Sequence, residues 1–203
     1  MTTVSRRFVG IVLALGIGVL ALPARAEDQP PAVIQSFYDV LLDVMKNADK
    51  LGFEGRAKQL DPVIRKTYDL PLMARLTVGP QWTSLSPEQQ QRVTEAFSKM
   101  TINTYASRFD GYSGEKFEVS PETAKSSNGT VVQTKLIKSD GEPISLNYLM
   151  RDEKGAWKVI DVFLNGTASE LATRRSEFSS VLRRDGPDAL VKVIEKRAAE
   201  GKG

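Results

Sequence analysis

The 203-residue chain contains no histidine and no cysteine. That absence removes the Ser-His-Asp and Cys-His nucleophile constellations and the usual zinc sites. What remains is the chemistry of carboxylates and guanidinium groups. The stretch WKVIDVFLNGTASELATRRSEF, residues 157–178, brings the best candidates together. Asp161 interrupts an apolar run, where a buried carboxylate could serve as a base, but no partner acid or oxyanion donor can be named beside it. Arg174 and Arg175 stand against a seam made by Leu171, Phe178 and Leu182. One of them could meet a phosphate or another polar head at the mouth of a pocket. Equally, Arg175 could pair with Asp161, or both stems could lie along the seam with their heads in water.

The elements that must position these groups are legible from periodicity. Residues 157–164 read as a strand that is apolar on both faces, with Trp157, Val159 and Phe163 alternating with Ile160, Val162 and Leu164. Before it, PISLNYLMRD alternates with Ile144, Leu146, Tyr148 and Met150 on one face, and TVVQTKLIK lies between the turn dipeptides Asn128-Gly129 and Asp140-Gly141. EKFEVSPETAK is a weaker strand candidate, interrupted by Pro121. These make three or four antiparallel strands in meander order. Helical spacing covers residues 30–48, residues 54–68 with a break expected at Asp61-Pro62, and a short segment over 69–79 closed by Gly79 and Pro80. Ser86, Pro87 and Gln89 then open a long helix with a capping box. Val93, Phe97, Met100 and Thr104 line one side of it, while Ile102, Tyr105 and Phe109 point elsewhere, the pattern of a helix between two layers. Two helices close the chain, the first ended by Gly186 and the second begun by Pro187. A helical first half, a β-rich stretch and a helical tail predict an α+β fold with an antiparallel sheet of about four strands.

The first 26 residues carry the three parts of an export signal: Arg6 and Arg7, an apolar run from Phe8 to Leu22, and the small-x-small site Ala24 to Ala26. The run is shorter than the ~20 residues a spanning helix requires. Arg6, Arg7 and Arg25 account for the whole formal charge of +3, so the chain from residue 27 onward is balanced. A balanced charge gives no support to nucleic-acid binding. Residues 27–203 suffice for a single domain with a real core. With no cysteine, an exported domain of this kind depends on packing rather than disulfides.

The helices and late strands carry more apolar surface than a minimal core uses. A sheet covered by helices on both faces would explain it, and so would a cavity kept open for an apolar ligand. The candidate lining is Ile34, Phe37, Leu41, Met73, Leu76, Phe97, Met100, Tyr105, Leu146, Tyr148, Met150, Val159 and Val162. Ordinary core packing is the competing role for each.

FYDVLLDVM, LPLMARLTVGPQWTSLSPEQQQRVTEAF, WKVIDVFLNGTASELATRRSEF and VLRRDGPDALVKVIEK together resemble the MlaC / toluene-tolerance family of periplasmic lipid carriers. The form NGTASELATRRSEF looks closest to the hopanoid-biosynthesis-associated branch, HpnM. The resemblance implies an NTF2-like α+β fold, with helices over a curved sheet and an internal apolar cavity. It implies a phospholipid or hopanoid ligand, no cofactor and no catalysis. It also implies a shuttle between an inner-membrane ABC-transporter complex and an outer-membrane lipoprotein complex, with only transient membrane proximity. A protein-binding periplasmic adaptor and an NTF2-like carboxylate enzyme are the other classes considered.

Overall fold

The computed structural model describes residues 29–200, so the export signal read from residues 1–26 lies outside the described residues. Among the described residues, four helices precede the sheet: α1 (Pro30–Lys46), α2 (Ala48–Thr67), α3 (Leu70–Val78) and α4 (Pro87–Arg108). A 3-10 turn, Gly79–Ser84, joins α3 to α4. The sheet follows as β1 (Lys116–Ser126), β2 (Gly129–Ile137), β3 (Pro143–Glu153), β4 (Ala156–Leu164) and the two-residue β5 (Ala168–Ser169). Helix α5 (Glu170–Glu200) closes the chain. The strands pair antiparallel in sequence order, one strand more than the four expected. No helix among the described residues is long and apolar enough to cross a membrane.

Local signals explain most boundaries. Prolines occupy the start of α1, where a missing N–H costs nothing. Asp69 caps α3 by accepting from the Leu72 amide at 3.0 Å. Ser86 and Gln89 form the expected capping box on α4, the Gln89 side chain accepting from the Ser86 amide at 2.9 Å. Gly186, at φ 81°, kinks α5 just before Pro187, as the sequence predicts. The break expected at Asp61-Pro62 is not there. The chain bends instead at Gly52 (φ 59°, ψ 179°), and Pro62 stands inside an unbroken helix. Leu60 and Ile64 on either side of it are fully buried, and their packing outweighs the hydrogen bond that proline removes.

Pro121 does not end β1 either. It falls where the β1–β2 register shifts, between Val119 and Thr123, so an edge strand absorbs the proline as an irregularity. A second irregularity matters more. Leu149 pairs with Asp161 and Met150 with Val159, leaving Ile160 as the extra residue of a bulge. A one-residue insertion reverses the alternation of faces. Val159 therefore shares the inner face with Val162 and Leu164, although simple alternation puts them on opposite sides. The same bulge is tied to the helices: Tyr68 bridges to Val159, and the Asp69 amide donates to the Val159 carbonyl at 2.9 Å.

Candidate functional site

Inner-face residues of the sheet meet α3, α4 and α5 around a cavity of about 300 Å³. The sheet supplies Leu136, Ile144, Leu146, Tyr148, Val162 and Leu164, and the pairing explains why they cluster: Leu136 faces Ile144, Leu146 faces Leu164, and Tyr148 faces Val162. Met73 comes from α3 and Tyr68 from the end of α2. Helix α4 gives Phe97, Met100, Thr101, Thr104, Tyr105 and Arg108, a stripe at three- and four-residue steps, with Phe109 following. Helix α5 gives Glu170, Leu171 and Arg174. The wall is thus almost wholly apolar, with charge confined to Arg108, Glu170 and Arg174.

Hydroxyl groups pair along this wall in two hydrogen-bonded sets. Tyr38 is hydrogen-bonded to Thr134 at 2.6 Å and to Tyr148 at 3.0 Å. Thr134 donates to the Leu146 carbonyl, and Tyr68 is hydrogen-bonded to Tyr105. Burial pushes the phenols of Tyr38, Tyr68, Tyr105 and Tyr148 above the ordinary tyrosine value, because a phenolate there would lose its hydration. The hydroxyls therefore stay neutral, satisfied mainly by one another. The rings also pack edge-on, Phe37 against Tyr68 at 5.7 Å and against Tyr105 at 5.3 Å between centroids.

Of the residues proposed from sequence, Met73, Phe97, Met100, Tyr105, Leu146, Tyr148 and Val162 line the cavity. Ile34, Phe37 and Leu41 do not. They are fully buried in the core beneath α1, and the rings of Tyr68 and Tyr105 stand on Phe37. Met150 and Val159 also lie in the core rather than the lining, paired with each other at the bulged end of β3 and β4 where the α2–α3 junction covers them. Leu76 is half-buried on α3 and is not part of the wall. The two-sided reading of α4 needs correcting as well, since Tyr105 and Phe109 face the same cavity as Phe97 and Met100. Sequence reasoning did not name Tyr68, Thr101, Thr104, Arg108, Phe109, Leu136, Ile144, Leu164, Glu170 or Leu171 as lining. Cross-strand pairing would have found Leu136, Ile144 and Leu164 once the register was known, and helical spacing the residues of α4 and α5.

Asp161 is not paired with Arg175. Its carboxylate accepts from the Ser169 hydroxyl at 2.6 Å and from the amides of Val162 at 2.8 Å and Leu171 at 3.0 Å. Ser169 in turn accepts from the Ala172 amide at 2.9 Å. The buried acid is a cap on the N-terminus of α5, where the helix dipole favours a negative charge. Arg175 is exposed and lies over the backbone of Gly79. Arg174 turns into the cavity wall instead, with Glu170 at 3.8 Å. Among the described residues, no group of three or more acidic side chains gathers as a metal site.

An antiparallel sheet roofed by helices around one apolar hollow defines a small α+β domain of the ligand-cavity type. Residues 35–196 match the family described as MlaC protein, and the chain belongs to that family. The chain is 29% identical over 116 residues to the toluene tolerance protein ttg2D of Pseudomonas putida, an alignment covering 57% of this chain. It spans about half the length of that curated relative, 53%. Its fold is similar to that of a phospholipid-binding protein from Ralstonia solanacearum solved in complex with a phospholipid. The TM-score is 0.74 at 24% identity, covering 85% of this chain and 98% of the other.

Proposed function

We propose that this chain is a lipid carrier that buries the apolar part of a phospholipid in the cavity between α3, α4, α5 and the sheet. The observation that carries this reading is the hollow itself: about 300 Å³, apolar on nearly every side, with charge only at Arg108, Glu170 and Arg174. Family membership supports it, as does the Ralstonia solanacearum protein of similar fold, which binds a phospholipid. The methionines Met73 and Met100 suit a wall that must adapt to tails of different shape.

Burial is worth ~0.8 kcal/mol per methylene, so release of a tail into water is slow and transfer needs a docked acceptor with a continuous apolar path. On this reading the chain is exported by the signal in residues 1–26 and works in the periplasm as the single domain 27–203. It exchanges lipid between an inner-membrane ABC-transporter complex and an outer-membrane lipoprotein complex. The groups that act are binding groups: the paired hydroxyls are neutral and Asp161 is committed to capping α5. A hopanoid is the alternative occupant suggested by NGTASELATRRSEF.

The test is to purify the protein, extract it with organic solvent and identify the extract by mass spectrometry. Near-stoichiometric phospholipid is expected. An extract without lipid, from protein that also takes none from vesicles, would refute the carrier.

A further inference from the structure

The cavity wall is apolar except where α4 and α5 meet. Thr101, Thr104, Tyr105 and Arg108 follow one another on the inward stripe of α4, and Glu170, Leu171 and Arg174 do so on α5. Helical spacing therefore delivers Arg108 and Arg174 to the same cavity. The Arg174 side chain is only 19% exposed. Its one ion pair among the described residues is Glu170 at 3.8 Å, too far for a hydrogen bond, so the guanidinium fork is left without a close acceptor. Burial lowers the pKa of Arg174; Glu170 offsets part of this, and Arg197 and Arg108 add to it. Glu177, the other nearby acid, is engaged by Arg197 at 2.7 Å. Arg108 makes no ion pair among the described residues. The cavity thus holds two cations and one loosely held acid: it is short of negative charge.

We propose that Arg108 and Arg174 form a head-group subsite that selects amphiphiles with an anionic head, a phosphodiester or a carboxylate, over zwitterionic or neutral ones. This rests on the carrier reading and deepens it. An oxyanion at the end of a buried tail would meet the open fork of Arg174 and the charge of Arg108, the planar pairing at which arginine is strongest. Glu170, at 3.8 Å, makes no hydrogen bond to Arg174 and holds it too loosely to compete. A zwitterionic head brings a cation back to the same place, and a neutral polyol brings no charge at all. Arg175, exposed over Gly79 and outside the cavity, is not part of the subsite.

The test is competitive loading from one vesicle population. The purified protein is incubated with vesicles of phosphatidylglycerol, phosphatidylcholine and oleate in equal amounts, re-isolated and extracted, and the three lipids are quantified by mass spectrometry. Because all three sit in the same vesicle, surface attraction acts on each alike. Wild type is expected to enrich an anionic lipid over phosphatidylcholine by about fivefold, equivalent to ~1 kcal/mol. The ratio of phosphatidylglycerol to oleate tells whether lipid phosphate or a free carboxylate is preferred. Arg108→Gln and Arg174→Gln should each move the ratio toward that of the vesicle, whereas Arg175→Gln, which removes the same charge outside the cavity, should keep wild-type enrichment. Arg108 is exposed, so its variant reports even where Arg174→Gln disturbs packing. Wild type loading the lipids in vesicle proportion would overturn the subsite and leave the carrier standing, as would Arg108→Gln and Arg174→Gln variants that keep the enrichment. Wild type taking up no lipid at all would overturn both.

Discussion

Thr104→Trp puts the cavity to the test without touching the core. Thr104 lines the hollow from α4, is only half-buried, and spends its hydroxyl on the Met100 carbonyl of its own helix. Replacing it costs little else. A volume of about 300 Å³ holds about ten groups of the ~30 Å³ that a water or a methylene occupies. Tryptophan adds seven heavy atoms relative to threonine, and with about four of them inside the hollow the ligand loses about four methylene positions. At ~0.8 kcal/mol each, that is ~3 kcal/mol of lost burial, or about two orders of magnitude in retention. The assay is transfer of a fluorescent phospholipid from donor vesicles to the protein, read as the fraction loaded and as the off-rate to acceptor vesicles. Thermal unfolding is followed in parallel. The variant should melt at or slightly above the temperature of lipid-free wild type while loading far less lipid. A folded Thr104→Trp protein that loads and releases lipid like wild type would refute this cavity as the lipid site.

Other outcomes follow from the polar groups around it. Tyr148→Phe removes a hydroxyl that Tyr38 engages at 3.0 Å; leaving a buried partner short costs ~1–2 kcal/mol, and thermal melting should show a fall in Tm of about 3–8 °C. An unchanged Tm would mean the network adds nothing. Burial raises the phenol pKa values of Tyr38, Tyr68, Tyr105 and Tyr148, so the folded chain keeps protons that the unfolded chain gives up above pH ~10. Stability is therefore full below that pH and lost as pH rises toward the folded values. In an alkaline titration, phenolate absorbance from these rings should appear together with the loss of helical circular dichroism, not before it. Gly129→Ala would set a Cβ 2.2 Å from the Met150 carbonyl oxygen, a backbone atom that cannot swing aside; the β2–β3 ladder must shift, at ~1–3 kcal/mol, measured by urea unfolding. Asp161→Ala strips the cap from α5 and should cost roughly 2 kcal/mol, with faster hydrogen exchange at the Leu171 amide.

Helix starts and turns were legible in the sequence because they depend on residues close in the chain. Ser86 with Gln89, Asn128-Gly129 and Gly186-Pro187 each do locally what their types require. Pro62 and Pro121 went the other way: a fully buried Leu60–Ile64 pair holds the helix, and an edge strand tolerates an irregularity. The cavity was half legible. Apolar spacing marked Phe97, Met100, Leu146 and Tyr148 as buried but could not tell a lining residue from a packed one, since both are apolar for the same reason. Ile34 and Phe37 fell on the wrong side of that distinction because the rings of Tyr68 and Tyr105, remote in sequence, stand against Phe37. The bulge at Ile160 was invisible for the same kind of reason. In a strand apolar on both faces, alternation carries no information about register.

A hollow of this size is expensive when empty. At ~24 cal/mol per Å³, a sealed hollow of about 300 Å³ would stand for ~7 kcal/mol; this one opens to solvent where Arg108 is exposed, so its cost is smaller. Side chains that could collapse inward would do so, and something must prevent it. The hydroxyl bonds are suited to that role. One set joins α1 through Tyr38 to β2 through Thr134 and β3 through Tyr148, and a second joins the end of α2 through Tyr68 to α4 through Tyr105. Moving Tyr105 or Tyr148 into the hollow would break their hydroxyl bonds, and a buried phenol left without a partner costs ~1–3 kcal/mol. Collapse would thus forfeit, one hydrogen bond at a time, much of what it gained in contact. A ligand that fills the hollow recovers the cavity cost without breaking any of these bonds. The same buried polarity that looks out of place along an apolar wall is therefore what keeps the wall apart.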